Sequence, residues 1–335
     1  MSRPVVMPDF FVDHFVIGDT LEDFVTGLTR LAQQGGGNLL GTRHMIRRGG
    51  NSVNTASALL SLGMDPVLIV KTSEQGAALL RSLVDPSLDL SHVKSNGLLA
   101  TTVSIEVEHE GRRVNLMVSD SGSARDFSID DLDEHDIDAI RRAELVALLC
   151  LNHNQAPADL ARELFSLVRS ESRAITFMDA GDPSSRPHIV GPLCEEVLSE
   201  GLVDVLSVNE NEVIWFARAS GFDVSWTSQR DTLLQAARHI TNEFDIRVDL
   251  HTPLFTSTHS HDDEAVASTF EAAPQVTCGA GDTWNAGDIY GYLSGLPSME
   301  RLMLANAVAA LYVSSPSADH PTRDNVASLL CERCR

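Results

Sequence analysis

Lysine is almost missing from this chain. Lys71 and Lys94 are the only two, and the other 23 of the 25 basic residues are arginine. Acidic residues number 47, so the formal net charge is 25 − 47 = −22. A chain this acidic is repelled by phosphate backbones and anionic membranes. Nonspecific nucleic-acid binding and membrane-surface attachment are therefore excluded as its work. A lysine-poor, Asp/Glu-rich chain that keeps arginine is the composition expected of a halophilic protein, with a GC-rich coding sequence as the alternative. Aromatic residues make up only 5%, which leaves few rings to stack a nucleobase. Cysteine is scattered and odd in number: Cys150, Cys194, Cys278, Cys331 and Cys334. That is no disulfide framework, and the terminal C-x-x-C lacks a second pair for zinc. No apolar run approaches the length of a membrane span, and Asp9 and Asp13 break the N-terminal apolar stretch, so no signal segment fits. The expected location is the cytoplasm. No linker rich in proline, glycine or serine divides the 335 residues. A single domain over 1–335 is expected.

What is present alternates. Short apolar runs at 14–18, 67–70, 144–151, 174–178, 204–208 and 246–250 read as buried strands. Amphipathic stretches at 53–62, 157–168, 211–219 and 232–242 read as helices between them. This rhythm predicts a doubly wound, mostly parallel α/β sheet sandwiched by helices. One region departs from it. Segments 101–108 and 112–119 alternate apolar and polar residues around a Glu110-Gly111 turn, an antiparallel hairpin with Val103, Ile105 and Val107 on its covered face. Segment 39–47 could join it. Lid segments at about 37–48 and 98–120 are expected, closing over a ligand. The exposed edges of so small a sheet make a homodimer through the lid one expected arrangement.

The segment with the most chemistry is Cys278-Gly279-Ala280-Gly281-Asp282-Thr283, which opens a helical pattern. Small residues let successive N–H groups converge, and a helix N-terminus adds partial positive charge. Together they make an anion hole for a phosphoryl group. Asp282 in the first turn is either a helix cap or a general base aimed at an attacking hydroxyl. A second glycine pair, Gly49-Gly50, precedes Asn54, whose amide can both donate to and accept from sugar hydroxyls.

Taken together these segments resemble the ribokinase-like sugar kinases of the PfkB family, and the chain is similar to them from end to end. The first signature is Gly49-Gly50 with Asn54, Ala56 and Leu62-Gly63. The second is the intact Gly-Ala-Gly-Asp-Thr of 279–283, with Gly287 after it. Asn209-Glu210-Asn211-Glu212 matches the family's N-x-x-E element, and Ala305-Asn306-Ala307 its C-terminal helix. The resemblance implies a ribokinase-like fold with a β lid. It implies an ATP-dependent kinase in which Asp282 is the base and Gly279, Ala280 and Gly281 stabilise the transferring phosphoryl group. Asp23, five residues after Gly18, would bind sugar hydroxyls with Gly49, Gly50 and Asn54, and Asn152 is a further candidate. Asn209, Glu212, Thr283 and Asn306 would border ATP, with segment 250–257 as one wall. Glu212 would hold Mg²⁺ through water.

The chain departs from the family in places. Val276 stands where the family has an Asp near a monovalent-cation site, which puts activation by K⁺ in doubt. Segment 250–257 lacks the family's glycine turn against the nucleotide. His259 and His261 read as a solvated acidic loop. Asp179 and Asp182 end a strand and could line the cleft, as could Asn154. The acceptor reads as a small sugar or sugar acid. A nucleoside kinase of this fold, or a catalytically silent sugar- or nucleotide-binding protein, is the alternative. A dinucleotide oxidoreductase fits poorly, because Gly18 is not followed by Gly-x-x-Gly.

Overall fold

The computed structural model of the protein describes residues 3–333. Cys334 lies outside the described residues. The chain opens with β1 (Val5–Met7), β2 (Phe11–Thr20), α1 (Leu21–Gln33) and β3 (Arg43–Gly49). Helix α2 (Asn51–Ser61), β4 (Val67–Leu68), β5 (Val70–Lys71), α3 (Glu74–Leu83) and β6 (Val93–Lys94) follow. A long hairpin, β7 (Ala100–His109) and β8 (Arg112–Asp120), leads to α4 (Glu134–Arg142) and β9 (Leu145–Leu149). Next come α5 (Pro157–Glu171), β10 (Ile175–Asp179), α6 (Val190–Leu193), β11 (Val205–Asn209), α7 (Glu210–Ala219) and α8 (Arg230–Phe244). The chain closes with β12 (Arg247–His251), β13 (Phe255–His259), β14 (Glu264–Ser268), α9 (Ala280–Leu293), α10 (Ser298–Val313) and α11 (Arg323–Arg333).

The main sheet has the order β14-β13-β12-β11-β10-β9-β1-β4. It is parallel from β4 to β12 and antiparallel at β13 and β14. All five residues of β9, Leu-Val-Ala-Leu-Leu, are buried. An unbroken apolar strand is what a sheet covered on both faces requires. Its side chains alternate between two cores. Val146 and Leu148 pack with Leu164 and Phe165 of α5 and with α7 and α8. Leu145, Ala147 and Leu149 pack with Leu59 of α2 and Ile289 of α9. Helices therefore cover both faces, and the carboxyl ends of β1, β9, β10, β11 and β12 open on one edge, where such sheets bind ligands.

A separate four-stranded sheet, β3-β2-β7-β8, forms the lid. Two expectations change here. Residues 14–18, read as a strand of the main sheet, belong to β2 of the lid, and the first core strand is the shorter β1. Apolar content marks a strand but not the sheet it joins. The hairpin also presents its faces the other way round. Thr102 and Ser104 are buried, whereas Val103 is 37% and Val118 65% exposed. Val107 alone of the expected apolar row is fully buried. The covered face is mixed, with Phe11, Phe15 and Ala100 beside Asp13, Thr102 and Ser104. The small pair β5-β6 stands apart. Both lysines sit there, paired with Asp131, Asp133 and Asp136. The histidine pair also divides: His259 is buried in β13 and only His261 is exposed, in the turn before β14.

Candidate active site

The site is assembled where α9 begins. Gly279 caps the helix at φ +84°, and a Cβ there would lie 2.6 Å from the Tyr312 hydroxyl. Glycine is needed at this position on both counts. Tyr312 donates to the Cys278 carbonyl at 2.9 Å, and Thr283 Oγ1 donates to the Gly279 carbonyl at 2.8 Å. These bonds hold the loop open toward the cleft. The Ala280 N–H goes to the Thr277 carbonyl at 3.3 Å. Among the described residues the N–H groups of Gly281 and Asp282 meet no acceptor. Two free donors at a helix N-terminus are suited to an anion.

Asp282 is buried and does not cap its helix. One carboxylate oxygen instead accepts from Asn54 Nδ2 at 2.9 Å, and Thr55 Oγ1 donates to the Asp282 carbonyl at 3.2 Å. The two sequence signatures, some 228 residues apart, thus meet through these two hydrogen bonds. Burial pushes the Asp282 carboxyl up to about 7. The Asn54 bond opposes that shift, and the negative charges of Asp179, Asp9 and Asp13 add to it.

Asp9 follows β1 and accepts from the Asn51 N–H at 2.8 Å and from the Ser52 N–H at 2.9 Å, so it caps α2. Gly50, at φ +94°, lies so close that a Cβ would sit 2.9 Å from Asp9 Oδ2. A Cβ on Gly49 would overlap the Asp13 carboxyl at 2.3 Å. Asp13 itself lines a cavity of about 220 Å³ under the lid, together with Asn54, Arg47, Arg48, Cys278 and Tyr312. Burial, with Asp9 beside it, raises the Asp13 carboxyl to about 6, while a bond from Thr102 holds it down.

Asp23 is therefore not where the strand-end glycine pattern puts it. It stands exposed in the first turn of α1, bonded to Thr20, and Asp13 holds the position beneath the lid. Gly18 stands near the end of β2, so five residues on from it the chain is already in α1. The signal available was Asp9 and Asp13, the two carboxylates that interrupt the N-terminal apolar stretch.

The other strand ends converge as the parallel register requires. Asp179 ends β10 and Asn209 ends β11, where it pairs with His251 of β12. Asn209 and Glu212 cap α7 reciprocally, with Asn209 Nδ2 donating to Glu212 at 2.7 Å. Burial, reinforced by the Asp179 charge, pushes the Glu212 carboxyl well above its ordinary range. Asp179 accepts from Asn285 of α9 at 2.7 Å, and Asn285 from Ser207 at 2.6 Å. Asp182 accepts from Asn211 at 2.8 Å. His251, unremarked in sequence, packs on Trp284 with ring centroids 5.0 Å apart, and a Cβ on Gly281 would touch its ring at 3.2 Å. Segment 250–257 is thus the end of β12, a tight turn and the start of β13.

Three expected contacts are spent elsewhere. Asn306 is 2% exposed, accepting from Trp284 Nε1 at 2.9 Å and donating to the Ser268 carbonyl at 3.2 Å. Thr283 is fully buried and holds the glycine loop. Asn154 is buried, its amide bonded to Ala124 and Phe127. Asn152, just past β9, donates to the Asp182 carbonyl at 3.0 Å. The first three shape the site from behind it.

A doubly wound sheet with a β lid, a glycine-opened helix and a buried carboxylate at its head define the ribokinase-like fold. The model of the pfkB family carbohydrate kinases matches residues 13–325, and the chain belongs to that family. Its fold is shared by Arabidopsis thaliana ribokinase complexed with ribose and ATP, at 19% identity and a TM-score of 0.74, with 98% of each chain covered. Fructokinase with bound ATP from Xylella fastidiosa matches at 14% identity and a TM-score of 0.72, with 99% of each covered. The nucleoside kinase of Burkholderia thailandensis in complex with inosine matches at 14% and 0.68, covering 98% of this chain and 97% of that one. Among curated proteins none matches by sequence. No helix among the described residues is long and apolar enough to cross a membrane.

Proposed function

We propose that this protein is an ATP-dependent kinase that phosphorylates a hydroxyl of a small sugar or sugar-like molecule. One observation carries it. A buried carboxylate, Asp282, stands beside two N–H groups without acceptors at the head of α9. The acceptor O–H gives its proton to Asp282 as its oxygen attacks the γ-phosphorus, the bond to ADP breaks, and ADP leaves. A base titrating near 7 suits that transfer at neutral pH. The Gly281 and Asp282 N–H groups stabilise charge on the phosphoryl oxygens, and Gly279 and Ala280 shape the hole. A silent binding protein needs neither the base nor the hole.

Asp13 and Asn54 would bind acceptor hydroxyls, with Gly49 and Gly50 giving close backbone approach. ATP would lie at the strand ends by Asn209 and His251. No three His, Cys, Asp or Glu side chains among the described residues converge as a direct metal site, so Glu212, with the Asp179 and Asp182 charges near it, would hold Mg²⁺ through water. The ion would supply charge neutralisation on the phosphates. Val276 offers no side-chain oxygen to a monovalent cation, and its N–H bonds the Val313 carbonyl at 3.2 Å.

The ribose- and ATP-bound neighbours support a sugar acceptor with ATP as donor. The inosine-bound neighbour supports a nucleoside instead. The cavity of about 220 Å³ favours the smaller molecule. The outer lid face, with Val103 37%, Leu116 42% and Val118 65% exposed, supports pairing with a second copy. ATP consumption over a panel of sugars, sugar acids and nucleosides in high KCl, with a no-acceptor control, tests the activity. Consumption that no acceptor stimulates would reject it. Sedimentation of Val118→Asp tests the dimer, which it should dissociate.

A further inference from the structure

The acceptor cavity is basic in a chain that is strongly acidic. Among its lining residues Asp13 is the only carboxylate, whereas Arg47 and Arg48 are both cations. Two of the chain's 25 basic residues, consecutive in β3, both line it. Ile46, Arg47 and Arg48 are consecutive and all line the cavity, so it runs round the free edge of β3.

Neither arginine has an ion-pair partner within 4.0 Å among the described residues, although the Asp319 charge lies near Arg48. Arg47 stands opposite Asp13 in the β2–β3 register, yet the two form no ion pair within 4.0 Å. Arg47 donates instead to the Pro316 carbonyl at 3.1 Å, and its guanidinium lies 5.4 Å over the Phe15 ring. Arg48 makes no hydrogen bond or ion pair with any described residue, and its Nε is buried without a partner. A guanidinium carries five donors in a fixed fork, and leaving it desolvated and unpaired is costly. Planar oxyanions match that fork two bonds at a time. A neutral sugar would leave Arg48 uncompensated. Asp13, paired in register with Arg47 across the two strands, suits hydroxyls rather than an anion, so hydroxyls belong on the Asp13 and Asn54 side and an anion toward Arg48.

We infer that Arg47 and Arg48 form an anion subsite in the acceptor cavity, and that the acceptor is a monosaccharide-sized polyol bearing a carboxylate or a phosphate. The anion lies toward Arg48 and the reacting hydroxyl on the Asn54 side, beside Asp282. This rests on the kinase reading for what the cavity holds, but not for the charge preference itself.

The test is equilibrium binding without nucleotide to D-glucose and D-gluconate, and to D-fructose and D-fructose 6-phosphate. At least one charged member should bind about tenfold or more tightly than its neutral parent. Gluconate or fructose 6-phosphate as the preferred member identifies carboxylate or phosphate. Arg48→Gln should abolish the preference, bringing the charged member's affinity down to that of its neutral parent, without lowering the melting temperature. Arg47→Lys, which keeps the charge and loses the fork, should retain part of it. Equal binding within both pairs overturns the inference. So does an Arg48→Gln variant that raises KM for ATP and not for the acceptor. A parallel ATP-consumption assay separates the two claims. Anion-selective binding without turnover leaves the subsite standing and removes the kinase. Turnover of neutral sugars without anion preference does the reverse.

Discussion

Replacing Asp282 by Asn separates catalysis from stability, and the structure sets the size of both effects. The variant keeps an oxygen that can accept from Asn54 Nδ2, so the bond between the two signatures survives. It removes a base, and general-base help is typically worth about 10²–10⁴ in rate. The expected kcat is therefore lower by at least about 10²-fold, with ATP binding retained. Stability moves the other way. A carboxyl pushed from 3.8 to about 7 by burial is ionised in the unfolded chain before it ionises in the fold. Its folded pKa is raised, so its contribution is intact below 3.8 and is lost as pH rises to about 7. At 1.36 kcal/mol for each tenfold in proton affinity, the ionised side chain costs the fold about 4 kcal/mol at pH 8 as an upper bound. Asp282→Asn should thus match the parent at pH 4 and exceed it progressively up to pH 7, then run parallel. The parent's kcat/KM should climb tenfold per pH unit below about 7 and level off above it. Denaturant melts at several pH values and a pH–rate profile measure these directly. An Asn variant that keeps full activity refutes the base. One that is less stable at pH 8 refutes the buried, strained carboxylate. Asp282→Ala serves as a control, because it leaves the Asn54 donor unpaired and should cost about 1–3 kcal/mol.

Other outcomes follow from neighbouring residues. Asp13→Asn should raise the acceptor KM about tenfold or more with KM for ATP unchanged, whereas Asp23→Asn should alter neither, since it stands exposed on α1. Gly279→Ala should abolish activity and lower the melting temperature, because the residue sits at φ +84° and a Cβ would meet the Tyr312 hydroxyl. Tyr312→Phe is the milder counterpart, expected to cost about 1 kcal/mol through the lost bond to the Cys278 carbonyl. With a net charge of −22, the melting temperature should rise by several degrees from about 0.1 M to multimolar KCl, as the Debye length shrinks from about 10 Å to 3 Å or less. A flat response in a thermal-shift series would leave genome composition as the account of the missing lysines.

The sequence by itself determined the alternation of buried strands and amphipathic helices, because a run such as the Leu-Val-Ala-Leu-Leu of β9 is apolar on both faces only if both are covered. It also marked the two glycine signatures, since a positive φ at Gly279 and close packing at Gly50 admit no other residue comfortably. Only the tertiary structure decided which sheet each strand joins, and so it moved residues 14–18 into the lid and brought Asp13 rather than Asp23 under it. Alternation along 101–119 signalled two faces without saying which is covered, because that depends on what packs there. Whether Asp282 caps its helix was likewise undecided in sequence, and the structure shows that it does not. Its proton affinity is set by Asn54, Asp179, Asp9 and Asp13, which come from four other strands or helices or their ends. Local patterns report a residue's own periodicity and conformational freedom, whereas proton affinity and cavity charge are sums over neighbours that only the folded chain brings together.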